Sequence, residues 1–180
     1  MISLSPFFSQ NETDSTIRGI DNNELPPYMW FISADSIFKS NVTEFKDYAR
    51  IFGIEFCISR FSLFDGSKSS DSAVTAEDVK VYISSGIHSP MIQGRMAKGV
   101  IIPKITIKKV ASLSGKLETL ENKEFSKCVI QSFSRIGEQI AFTFRYSSYS
   151  DSYTDIQVDG TKGGTAATKI DLVTWEIEDS

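Results

Sequence analysis

The side chains best equipped for chemistry in this sequence are few and stand far apart. The single histidine is His88, and an imidazole could serve there as general base for a serine or cysteine nucleophile. No G-x-S-x-G turn accompanies it to supply that nucleophile. The two cysteines, Cys57 and Cys128, each lie inside a strand-like run. Neither shows the paired spacing of a zinc site or a redox dithiol, so they read as buried thiols, and a disulfide between them stays open. Carboxylates are scattered over turns and strand faces, with no calcium-loop pattern and no pair set out for glycoside chemistry. The run Asp159-Gly160-Thr161-Lys162-Gly163-Gly164 has the composition of a phosphate loop but neither its spacing nor the helix that must follow. A turn is the simpler reading. Lys104, Lys108 and Lys109 could meet a polyanion, although a lysine-studded outer strand face explains them with less. The expectation is therefore a non-enzyme, with no catalytic, cofactor-binding or metal-binding residue to assign and no cofactor.

What positions these residues is legible from period and punctuation. At 180 residues with thirteen phenylalanines, the chain has ample apolar material for one core and a bias toward sheet. A net charge of −4 gives no general attraction to nucleic acid or anionic membrane, so neither is an expected partner. The N-terminus lacks a basic region followed by an apolar stretch, and nowhere do 18 apolar residues run together. Folding in the producer's cytoplasm is expected, with any export by a route that reads no signal peptide. The Asn-x-Thr triplets at Asn11 and Asn41 are then chance matches.

Residues 1–27 end in Leu25-Pro26-Pro27 and show no clear period, which predicts a flexible or loosely docked extension to a folded domain at 28–180. Tyr28 to Ile32 reads as a short strand and residues 33–43 as a polar loop around Phe38. From Ile51 to Arg60 a strand is expected, with Phe52, Ile54, Phe56 and Ile58 on the core face. Asp65 to Ala76 reads as a polar loop. A strand with Val79, Val81 and Ile83 inward then delivers the chain to a helix. Ser89 is its expected N-cap, Pro90 its first turn and Gly99 its left-handed stop, with Ile92 and Met96 on the buried face.

After Gly99 the period becomes two, with Ile101, Ile105 and Ile107 expected inward and Lys104, Thr106 and Lys108 outward. Leu117 to Ile136 holds one or two strands. Ile140, Phe142, Phe144 and Tyr146 give the clearest alternation of all. Asp159-Gly160 and Gly163-Gly164 mark a turn region, and Lys169 to Glu178 a last strand with Val173, Trp175 and Ile177 on one face. Seven or eight strands around one short helix imply a mainly β protein, a closed or sandwiched antiparallel barrel.

The order of these elements resembles the Hcp family, the hemolysin-coregulated proteins of bacterial type VI secretion. The central match is the strand from Asp78, the helix start Ser89-Pro90-Met91-Ile92, the stop Lys98-Gly99 and the strand Ile102-Pro103-Lys104-Ile105-Thr106-Ile107. Met29-Trp30-Phe31-Ile32, Ile51 to Ser59, Val129 to Ser134 and Ile140 to Tyr153 agree in order, as do Gln157 to Gly164 and Lys169 to Leu172. Four features depart from the pattern: Ser33 to Asn41 replaces a glycine-rich loop, Gly53 to Ser59 lacks a tryptophan, the aromatic pair after the last barrel strand is Tyr149 and Tyr153 without tryptophan, and residues 1–27 have no counterpart.

The resemblance implies a two-sheet antiparallel β-barrel with one short helix. It further implies hexameric rings stacked into a hollow tube, with sheath, spike and effector proteins of the machine as partners. It places the protein in the bacterial cytoplasm and then outside it, released without a cleaved signal peptide. The Asp65 to Ala76 segment would reach a neighbouring subunit or ring. Two other readings remain from the residues: a monomeric secreted β-sandwich that binds carbohydrate, and a specialised secreted effector of the same fold.

Overall fold

The computed structural model describes residues 28–34, 36–38, 45–60, 63–65, 68–70, 74–113, 116–157, 161–174 and 177–179. The expected extension at 1–27, the Asp159-Gly160 turn and Trp175 lie outside them. The strands are β1 (Tyr28–Ala34), β2 (Ala49–Glu55), β3 (Ile58–Arg60), β4 (Leu63–Asp65), β5 (Lys68–Ser70), β6 (Val74–Ala76) and β7 (Val79–Ser84). After the helix α1 (His88–Lys98) come β8 (Ile102–Leu113), β9 (Lys116–Ile136), β10 (Gln139–Arg145), β11 (Ser148–Ile156), β12 (Lys162–Asp171) and β13 (Ile177–Asp179). Among the described residues the expected fold, an antiparallel β-barrel with one short helix, is the one found.

Six strands close the barrel in the order β10-β7-β2-β1-β8-β9, with β9 returning to pair with β10. Closure depends on a corner in β9, a single strand of 21 residues rather than two separate ones. Its first half pairs with β8 on one side and β11 on the other, and its second half pairs with β10. Lys127 at the corner has φ 50°, and the alternation breaks there, so that Phe125, Cys128 and Ile130 all face the core. Beyond the barrel, β11, β12 and β13 extend the sheet as a flap.

Inside, Val79, Val81, Ile83, Ile140, Phe142, Phe144 and Tyr146 are buried as the alternation requires. The expected inward face of 51–58 needs correction. A register shift between Ile51 and Gly53 against β7 turns Ile51 to the core and leaves Phe52 54% exposed. Ile54, Phe56 and Ile58 still pack on the core. A like correction follows α1: Ile102 is fully buried and Ile101 is 62% exposed, because the strand begins only at Ile102. The opposite face of β8 is not all solvated either. Phe31, Phe45 and Val110 form a second small cluster there, with Phe31 and Phe45 stacked at 4.7 Å, and Thr106 is buried.

Helix α1 ends as its sequence demands. Gly99 takes φ 60° and ψ 34°, its N–H meets the Met96 carbonyl at 3.0 Å, and the Val100 N–H meets the Arg95 carbonyl at 3.1 Å. This double closure satisfies carbonyls the last turn would otherwise leave open. The start differs from expectation: the N-cap is Ile87, with no side-chain capping bond. Ser89 sits two residues further in, where its Oγ accepts the Gly86 N–H at 2.9 Å while its own N–H donates to the Gly86 carbonyl at 3.0 Å. Ile92 is fully buried and Met96 packs beside the core, as read from the sequence. Full burial of Ile92 alone contributes about 2 kcal/mol.

Candidate functional site

His88 is held, not poised. Its Nε2 lies 2.7 Å from the Ser84 carbonyl oxygen, an acceptor, so that nitrogen carries the proton. The ring packs 5.7 Å from Phe38 and is buried at the helix end of the barrel. The nearby hydroxyl, Ser89 Oγ, is occupied by a backbone N–H, so the pair forms a turn rather than a nucleophile and base.

The cysteines are both free. Cys128 is buried, as expected, with its thiol 3.3 Å from the Phe125 carbonyl, and burial pushes its pKa up to about 12. Cys57, expected buried, is exposed, because the strand it was assigned to stops at Glu55. No grouping of three metal-ligating side chains occurs among the described residues, and none of the described helices is long and apolar enough to cross a membrane.

The scattered carboxylates find lysine or arginine partners across strands. Glu124 meets Lys104 at 3.1 Å, Glu118 meets Lys162 at 2.7 Å and Asp78 meets Arg145 at 2.8 Å. The basic cluster on β8 is thereby divided. Lys104 is paired, Lys108 lies over the Tyr48 ring at 5.0 Å, and Lys109 lies over Tyr28 at 4.3 Å. Such lysines cover aromatic surface with their stems rather than forming one cationic patch.

At the barrel end away from α1, aromatic rings take the place of the helix. Phe125 packs on Phe144, Tyr146 and Tyr149 at 5.0–5.2 Å, and Phe56 closes over Tyr149 at 4.7 Å. Above them Lys123 joins Glu121 and meets Asp151 at 2.6 Å, and the Tyr149 hydroxyl donates to the same Asp151 carboxylate at 2.7 Å. Burial first, and the Asp151 bond second, hold the Tyr149 hydroxyl protonated well above the usual tyrosine range. With α1 at one end and this layer at the other, the barrel is a filled core.

What remains available is backbone. The segment expected as the polar loop Asp65 to Ala76 is in large part a ribbon: β3 pairs with β6 through Ile58 and Ala76, and β4 with β5 through Asp65 and Lys68. Neither pair joins the main sheet. The flap also departs from expectation. Gly163 and Gly164 lie within β12 rather than in a turn. The anticipated last strand divides into the end of β12, a turn, and β13. In that turn the Asp171 carboxylate accepts the Val173 and Thr174 N–H groups at 2.8 and 3.1 Å, leaving Val173 exposed. Beyond the barrel, then, the described residues offer a thin ribbon and an open-edged flap. Periodicity could not have announced the ribbon, because only Ile58 and Ala76 at its base pack on the core.

No protein-family model and no curated protein sequence matches the chain. Solved structures do. One described as a type six secretion system protein aligns at a TM-score of 0.76 with 13% identity, covering 84% of this chain and 100% of that one. Hcp1 from Salmonella typhimurium aligns at 0.67 with 16% identity, covering 86% of this chain and 100% of its own. A structure described as a type VI secretion system effector from Yersinia pestis aligns at 0.62 with 14% identity over 79% and 98%. Barrel, helix and flap together thus give this chain the fold of the Hcp proteins.

Proposed function

We propose that this protein is a structural subunit of the inner tube of a type VI secretion system, forming hexameric rings that stack into a hollow tube able to carry small effectors. The observation that carries the reading is the extent of the likeness, a TM-score of 0.76 with the whole of the other chain covered. The satisfied His88 and the filled barrel support a structural rather than a catalytic role. On this reading its partners are other copies of itself and the sheath, spike and effector proteins of the machine. It is made in the bacterial cytoplasm and released by the machine without a cleaved signal peptide. Residues 1–27 are then an extension carried by the 28–180 barrel domain. Negative-stain images of the purified protein should show annular particles with a central hole. Compact monomers at every concentration would favour a secreted binding module. A specialised effector of this fold has in its favour the description of the Yersinia pestis structure, and would be separated by activity in a recipient cell that survives loss of assembly.

A further inference from the structure

We infer that this chain cross-links itself: the Lys123 amine of β9 condenses with the Asp151 carboxyl of β11 to form an isopeptide bond, with Glu121 carrying the proton. The inference goes beyond the ring reading and does not depend on it. Lys123 and Asp151 are register partners on adjacent antiparallel strands, and Nζ lies 2.6 Å from Asp151 Oδ2. Glu121 and Tyr149 each stand two residues before one member of the pair, and so share its face of the sheet. Lys123 Nζ also contacts the Glu121 carboxylate, and the Tyr149 hydroxyl donates to Asp151 Oδ2 at 2.7 Å. A nucleophile, an electrophile, a proton carrier and a hydrogen-bond donor therefore meet at one point.

The surroundings favour condensation over a simple ion pair. The Lys123 side chain is only 12% exposed and that of Asp151 25%, and Nζ lies 5.9 Å from the rings of both Phe56 and Tyr149. Shielding from water raises the free energy of both ions, and passing one proton from Nζ to Oδ2 leaves a neutral amine facing a neutral acid. The other oxygen, Asp151 Oδ1, is buried with no hydrogen-bond partner. A carboxylate oxygen in that position is costly, and the carbonyl of a neutral amide in the same place is less so. Because the fold already holds the two groups in contact, little entropy is left to lose when they join.

Atoms and charge balance without a further reactant. One ammonium proton moves to Oδ2. A second passes to Glu121 as the Nζ lone pair attacks Asp151 Cγ and the C–N bond forms. Glu121 then returns that proton to Oδ2, which departs as water while the Tyr149 hydroxyl supports it. Nζ keeps its third proton, Oδ1 becomes the amide carbonyl oxygen, and Glu121 ends as it began. In the sheet, β11 and the strands beyond it reach the barrel only through β9. The bond therefore fastens the flap to the barrel.

Mass spectrometry of the purified full chain under denaturing conditions tests this. The chain should be lighter than its sequence by one water, and proteolysis should release a branched peptide joining the segments around Lys123 and Asp151. Lys123→Arg and Asp151→Ala should each restore the full sequence mass. Glu121→Gln should leave a larger unlinked fraction in fresh protein, and complete linkage in that variant would overturn the part given to Glu121. An unmodified mass, both in fresh parent protein and after prolonged incubation at neutral pH, would overturn the inference. So would a water lost elsewhere, as a cyclic imide at Asp65-Gly66 or Asp159-Gly160, which fragment spectra would place on a linear peptide. A linked chain that stays monomeric would count against the ring and leave the cross-link standing.

Discussion

A side chain at position 99 would have open space around it, with nothing within 4 Å of a Cβ, so its cost is set by backbone conformation alone. At φ 60° a β-branched residue loses about 1–3 kcal/mol, and Gly99→Val should lower the melting temperature of the isolated protein. Gly99→Asn should recover much of the loss, because asparagine tolerates the left-handed region. Equal melting of Gly99→Val and the parent would contradict the cap. Cys128 makes a second prediction. Its thiol has an ordinary value of 9.0 and is held up to about 12 by burial. Between those values the unfolded chain has released its proton and the folded one has not, so stability falls as pH rises. Each such group contributes a slope of about 1.4 kcal/mol per pH unit. Thermal melts of Cys128→Ala from pH 9 to pH 10 should therefore be less steep in pH than those of the parent, and identical slopes would contradict the assignment. Gly99 was legible because positive φ leaves few residue choices. Phe52 was not, because one register shift reverses a face without altering the sequence alternation around it.

Elements buried on one face announced themselves, and those without a core face did not. β7 and β10 were plain because both line the barrel. The corner at Lys127 escaped because a left-handed lysine leaves no compositional mark. The ribbon escaped because each of its strands pairs only within it, and polar residues serve such a hairpin as well as apolar ones. That isolation has a consequence: β4 and β5 contribute nothing to the closed sheet. Deleting Ser67 to Ser72 should leave the melting temperature of the barrel almost unchanged while weakening ring formation or stacking. Filament counts in micrographs equal to the parent's would show that the tip of the ribbon has no part in assembly.

For the molecule as a whole, the barrel is closed and filled, plugged by α1 at one end and by the Phe56, Tyr149 and Lys123 layer at the other. The ribbon and the flap are the exceptions: among the described residues each ends in a strand edge with no further partner. The element order in the sequence was enough to suggest the fold, since period and punctuation survive when identity falls to 13%. The ribbon's pairing was not legible in the same way, because its strands bond only among themselves. The direct test is native mass spectrometry of the intact, purified protein across a wide concentration range. A ring subunit should give a particle six times the 20.1 kDa chain, growing by whole rings as stacking sets in. A monomer alone at every concentration would contradict the account.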